Sequence, residues 1–169
     1  MSRFFGFGSL VNLRTHVYHD PHPTQITGWK RQWVSSTLRD VAFLSVTPCP
    51  NTTLQGMSAS TQGIGWDALD IREEGYNRHQ LPASDMQMYI GSPDCILADV
   101  KQPILLSYLD VVVQGYHTHF GQQGVADFFD TTHNWDHPIF NDRASPQYPR
   151  AQQLTDFERA LVDKHLETL

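Results

Sequence analysis

The sequence predicts an α+β fold, with strands first and helices later. Two observations carry this. Up to about Tyr89 the chain consists of short apolar runs broken by turn residues, the texture of several short strands in an antiparallel or mixed sheet that can close into a barrel. After Pro103 the apolar residues recur at three- and four-residue steps instead, the period of helices packed by one face. At 169 residues, with an apolar fraction of 40%, the chain reads as a single domain over residues 1–169 with a sizeable core.

The expected strands cover residues 3–7, 25–35, 41–46, 54–59, 76–81 and 86–90. His19-Asp20-Pro21-His22-Pro23 and Pro48-Cys49-Pro50-Asn51 read as breakers between them. One helical segment interrupts this half. Trp66-Asp67-Ala68-Leu69-Asp70-Ile71-Arg72-Glu73-Glu74 is rich in helix formers and is followed by Gly75, a glycine in a C′-like position. It feeds at once into a strand, a device for aiming one carboxylate into a pocket.

In the second half, Leu105, Leu109, Val112, Val113 and Tyr116 form the apolar stripe of an amphipathic helix. A further helical stretch is expected over residues 124–129. Residues 133–150 hold Pro, Asn and Asp and read as an irregular segment over the surface. The last helix opens on Thr155-Asp156-Phe157-Glu158, the Thr-x-x-Glu form of a capping box.

The net charge of −6 is spread without a basic run, which argues against nucleic acid or an anionic membrane as partner. No segment approaches the roughly 18 apolar residues of a membrane span. The apolar run at the N-terminus is short and broken by glycine, unlike a signal peptide. Cys49 and Cys95 are the only cysteines and lack metal-ligand spacing, so a reduced, cytoplasmic setting is expected.

Four groups of residues bear on chemistry. Phe4-Phe5-Gly6-Phe7-Gly8-Ser9-Leu10 places two glycines and a serine in the first apolar run, where glycine weakens a strand and marks a close approach. Backbone N–H groups at Gly8, Ser9 and Leu10 in a turn would suit a carboxylate or an oxyanion, although taken alone the motif is more simply a strand end packed closely against a neighbouring segment. Glu73 and Glu74 are adjacent and so point in different directions, and only one of them can serve a given site. Nine histidines include His16, His19 and His22, the pair His117 and His119, and the pair His133 and His137. With no HExxH or CxxC and no evident third ligand, these read as surface histidines, and no metal or cofactor is expected. Gly8-Ser9-Leu10 also lacks the second glycine of a nucleophile elbow.

Together, Phe7-Gly8-Ser9-Leu10, Gly28-Trp29-Lys30-Arg31, Leu69-Asp70-Ile71-Arg72-Glu73 and Gly75-Tyr76-Asn77-Arg78 resemble the γ-glutamylcyclotransferase family in order and spacing over roughly the first ninety residues. That family carries Tyr-Gly-Ser-Leu or Tyr-Gly-Ser-Asn near its N-terminus, then Gly-Trp-x-Arg, then Leu-Asp-x-x-Glu. The resemblance implies a small mixed β-barrel of about five to seven strands flanked by helices, with the substrate at its mouth. It implies a cofactor-independent enzyme that cyclises a γ-glutamyl amide or peptide to 5-oxoproline and expels an amine. Carried over by position, Glu73 is the general acid/base, Phe7, Gly8, Ser9 and Leu10 grip the γ-glutamyl moiety, and Tyr76 and Tyr148 line the pocket. Glu74 does not match, since the motif counts three residues on from Asp70. Phe7 stands where the family has tyrosine, so a hydroxyl is missing. A catalytically silent module that binds a small ligand on the same fold therefore stays open as an alternative, as does a hydrolase or amine-transfer enzyme.

Overall fold

The computed structural model describes residues 2–169. Its main sheet has seven strands: β1 (Arg3–Gly6), β2 (His19–Ser36), β3 (Phe43–Ser60), β4 (Tyr76–Gln80), β5 (Met86–Gly91), β6 (Ile96–Leu97) and β8 (Thr132–His133). The order is β4-β5-β1-β3-β2-β6, with β8 added in parallel beside β2. β1 runs antiparallel to β3 and parallel to β5, so the sheet is mixed. A second, two-stranded parallel sheet joins β7 (Ile104–Leu105) to β9 (Ile139–Phe140). Three helices complete the chain: α1 (Trp66–Arg72), α2 (Leu106–Asp130) and α3 (Asp156–Leu166).

Three expectations are corrected. The sheet is not a closed barrel: among the described residues, the end strands β4 and β6 do not pair with each other. The two segments around Pro48-Cys49-Pro50-Asn51 are one 18-residue strand, and the stretch from His19 to Pro23 belongs to its partner. Pairing passes from Thr27↔Thr53 to Gly28↔Cys49, so residues 50–52 are looped out of the ladder at a bulge, and a second shift lies between His19 and His22. Pro21 and Pro50 fall at these two shifts, where a bulge admits a proline, while Pro23 and Pro48 stay in register opposite Met57 and Trp29, so the long hairpin overrides the local breakers.

α2 also differs from the amphipathic helix expected. From Leu106 to Tyr116 every residue but Tyr108 is buried, polar ones included. Its outer side is covered by the segment before α3. Asp142 accepts from the Ser107 N–H and hydroxyl at 2.8 and 2.5 Å, and Arg143 forks onto Asp110 at 2.7 and 2.8 Å. Arg143 also reaches Asp163 of α3 at 2.8 Å. A helix covered on all sides reads as apolar on all sides, with its polar groups paired. At Gly121 the backbone leaves the helical region (φ 68°, ψ −167°), which divides α2 into the two helical stretches expected. α3 opens on the predicted capping box: Thr155 Oγ1 accepts from the Glu158 N–H, and Glu158 accepts from the Thr155 N–H.

The main core joins Phe5, Trp33, Leu44 and Met57 of the sheet to Leu109, Val112, Tyr116 and Phe128 of α2. A smaller cluster, Phe4, Leu10, Ala59, Leu69 and Tyr89, seats α1 against the sheet through Leu69.

Candidate active site

β1 ends at Gly6 and the chain turns into a 3₁₀ turn, Ser9–Val11. Gly6 lies so close to this turn that a Cβ added there would come within 2.4 Å of the Leu10 Cβ. Gly6→Ala is therefore expected to destabilise the protein by about 1–3 kcal/mol through overpacking, read from the denaturant midpoint. Gly8 faces the pocket, where an added Cβ would lie 2.9 Å from the Tyr108 hydroxyl. The two glycines thus serve different ends: Gly6 lets chain meet chain, and Gly8 admits a phenol against the backbone.

Behind the loop, Arg31 is almost wholly buried on β2. It donates to the Phe7 carbonyl at 3.0 Å, the Gln55 carbonyl at 2.8 Å, Thr131 Oγ1 at 2.7 Å and the Tyr116 hydroxyl at 2.6 Å. Its guanidinium also lies over the Tyr116 and Phe128 rings, 4.9 and 5.1 Å from their centroids. Tyr116 in turn donates to the same Phe7 carbonyl at 2.9 Å. On the far side of the loop, His16 Nε2 lies 3.0 Å from the Leu10 carbonyl, while its Nδ1 accepts from the Tyr18 N–H at 3.3 Å. Burial holds His16 down to about 4, so near neutral pH it is uncharged and donates through Nε2.

Glu73 caps the C-terminus of α1, its N–H bonded to the Leu69 carbonyl at 2.9 Å. The helix is anchored by Asp70, which accepts from the Tyr89 hydroxyl at 2.5 Å and pairs with Arg78 at 3.1 Å. Arg72 lies 3.3 Å from Glu73 Oε1 and also donates to the Thr15 carbonyl, Thr15 Oγ1 and Ser9 Oγ. One guanidinium therefore ties the carboxylate to the loop that opens on Gly8. The Glu73 side chain is 15% exposed, whereas Glu74 faces solvent. Burial raises the Glu73 carboxyl above the ordinary glutamate range, opposed by the positive charges of Arg72, Arg150 and Arg39.

A cavity of about 330 Å³ opens between these pieces, lined by residues 5–10 together with Leu44, Glu73, Tyr76, Tyr89 and Tyr108. Tyr76 is held by its hydroxyl on the Leu44 carbonyl at 2.7 Å and by an edge contact with Phe43. Tyr108 is pushed above the ordinary phenol range by burial, with a hydrogen bond from the Ser9 N–H acting the other way. A second cavity of about 570 Å³ continues outward, sharing Ser9, Glu73, Tyr76 and Tyr108 with the first. Tyr148 lines this outer part, its ring edge-on to Tyr108 at 5.0 Å. Phe7, Gly8, Ser9, Leu10, Glu73, Tyr76 and Tyr148 therefore border one continuous cleft, although the Phe7 and Leu10 side chains are themselves buried in the core.

A solved structure of a γ-glutamyl cyclotransferase superimposes with a TM-score of 0.56, covering 96% of this chain and 98% of that one at 10% sequence identity. The chain has the γ-glutamyl cyclotransferase fold. A human protein described as uncharacterized matches with the same coverage and identity and a TM-score of 0.55. No protein-family model and no curated protein sequence matches the chain. No helix among the described residues is long and apolar enough to cross a membrane.

On this cyclotransferase fold the cleft also gathers residues that sequence reading did not single out: Tyr89, Tyr108, Arg39, Arg72 and Arg150. Tyr108 rides on α2, Arg39 sits in the turn between β2 and β3, and Arg150 lies just before α3. None carries a local signal, because their convergence is a product of topology.

Proposed function

We propose that this cleft cyclises a γ-glutamyl amide or peptide to 5-oxoproline with release of the amine. The observation that carries the reading is a shielded carboxylate with raised pKa, Glu73, in one pocket with the Gly8-Ser9-Leu10 loop.

The substrate's α-ammonium, with a pKa of about 8, must lose a proton before it attacks. Glu73 takes that proton. The amine nitrogen then adds to the γ-carbonyl carbon, forming the ring C–N bond and an oxyanion. Collapse of the oxyanion breaks the bond to the leaving nitrogen, which receives the proton from Glu73. The freed carboxylate then takes the surplus proton of the ring nitrogen and passes it to the departing amine, leaving a neutral lactam and an ammonium product. A carboxyl whose pKa is raised above the ordinary value is better matched to this exchange. Because the attack is intramolecular, the pocket's main task is to hold the folded conformer.

The backbone N–H groups of Gly8 and Leu10 hold the substrate's α-carboxylate, while that of Ser9 orients the Tyr108 hydroxyl. The Tyr108 hydroxyl, close against Gly8, is the donor to the oxyanion and supplies the phenol that Phe7 lacks. Tyr108→Phe is expected to lower kcat about 10²-fold with KM little changed, measured as 5-oxoproline release. A fall confined to KM would make Tyr108 a wall of the pocket instead. Ligand binding without release of 5-oxoproline across a panel of γ-glutamyl compounds would favour a silent binding module. Release of glutamate would indicate a hydrolase.

A further inference from the structure

The outer cavity carries three guanidinium groups, Arg39, Arg72 and Arg150, against the single carboxylate of Glu73, in a chain whose net charge is −6. Arg72 is occupied by Glu73, Ser9 and Thr15. Among the described residues, the guanidinium groups of Arg39 and Arg150 make no ion pair and no hydrogen bond, although the chain has 18 acidic residues available. Both line the cavity that Glu73 also lines, and their positive charge opposes the upward shift of its carboxyl.

Arg39 is exposed in a turn and Arg150 half-buried. The segment that carries Arg150 is fixed from behind: the Tyr148 N–H donates to Ser107 Oγ at 3.3 Å, the Gln147 N–H to Asp142 at 2.8 Å, and the Ala151 N–H to the Tyr148 carbonyl at 3.0 Å. Two unpaired guanidinium groups at a cleft mouth, one on an anchored segment, suit a carboxylate, which arginine binds through paired N–H donors. The inner cavity has no arginine in its wall, so this charge acts beyond the ring-forming half of the substrate.

We infer that Arg39 and Arg150 hold a carboxylate on the leaving group. The substrate class is then a γ-glutamyl α-amino acid or a short γ-glutamyl peptide with a free C-terminus, not a γ-glutamyl alkylamine or a side-chain isopeptide within a protein. This rests on the cyclotransferase reading above.

The test compares γ-glutamyl-alanine with γ-glutamyl-ethylamine, which differ only by the leaving group's carboxylate, both followed by release of 5-oxoproline. Wild type is expected to favour γ-glutamyl-alanine in kcat/KM by roughly tenfold or more, the worth of one charge-assisted hydrogen bond to a carboxylate. Arg39→Gln and Arg150→Gln should each collapse that ratio toward unity by raising KM for γ-glutamyl-alanine. Equal wild-type turnover of the two would overturn the inference and leave the cyclotransferase reading standing. So would variants that weaken both substrates equally, since the arginines would then bind the glutamyl carboxylate that the two share. No 5-oxoproline from either compound would overturn both.

Discussion

Glu73→Gln is expected to lower 5-oxoproline release by about 10²–10⁴-fold while leaving the fold intact. The amide keeps the shape of the carboxylate but cannot take the α-ammonium proton. Arg72 retains its bonds to Thr15 and Ser9 in the variant, so the loop keeps its anchor. Stability should not fall at neutral pH. The folded-state pKa of Glu73 is raised, so the group's stabilising contribution is present below the unfolded value and is lost as pH rises through the folded one. Burial makes ionising Glu73 costlier in the folded protein than in the unfolded chain, and a neutral glutamine removes that cost. The same shift sets the acid limb of activity. The rate should fall as pH drops through a pKa above the ordinary glutamate value of 4.5. The charged and titratable groups around Glu73 are Arg72 on α1, Arg39 in the β2–β3 turn, Arg150 before α3, Tyr76 on β4 and Tyr108 on α2. All three arginines pull the limb down, so Arg150→Gln should move it upward. A limb unmoved by that change and lying at the ordinary value would argue against Glu73 as the base.

Arg31→Met is expected to destabilise the protein by about 3 kcal/mol or more, since hydrogen bonds to a charged group are worth about 1.5–3 kcal/mol each. For a chain of this size that corresponds to a fall in Tm of roughly 6–12 °C. The guanidinium is buried without a carboxylate partner among the described residues, and four neutral oxygens and two ring faces hold it. One of those oxygens is the Phe7 carbonyl, so loss of Arg31 frees the loop that opens on Gly8 as well as the core behind it. Arg31→Lys should recover little, because an ammonium cannot reach the three directions that the planar fork spans. An unfolding midpoint within about 0.5 kcal/mol of wild type in Arg31→Met would contradict this account of the loop's support.

The features legible in the sequence are those set by neighbours along the chain. The Thr155–Glu158 capping box needs only four consecutive residues, and α1 needs only helix formers over two turns. The break at Gly121 falls between the two apolar helical segments seen in the sequence. The long hairpin was not legible, because Pro48 and Pro50 are local signals for a turn, while the ladder with β2 is a long-range effect that keeps Pro48 in register opposite Trp29 and takes up Pro50 in a bulge. Nor was the covering of α2. Asp110 and Ser107 look like a polar face until Arg143 and Asp142, more than thirty residues away, fold over them. In the cleft, Glu73 could be reached through its spacing from Asp70. Tyr108, Arg39 and Arg150 come from three separate elements and meet only in the folded chain. Arg31 had one usable signal. It shares the inward register of β2 with Trp33, where a charged residue is out of place unless its donors are all used.

The central claim is tested most directly by following γ-glutamyl-alanine and the wild-type protein by proton NMR, which resolves the ring protons of 5-oxoproline from those of free glutamate. 5-Oxoproline and alanine are expected in equal amounts, with no glutamate. Glutamate and alanine in equal amounts would mean that water, not the substrate's own amine, attacks the γ-carbonyl, and would contradict the cyclisation.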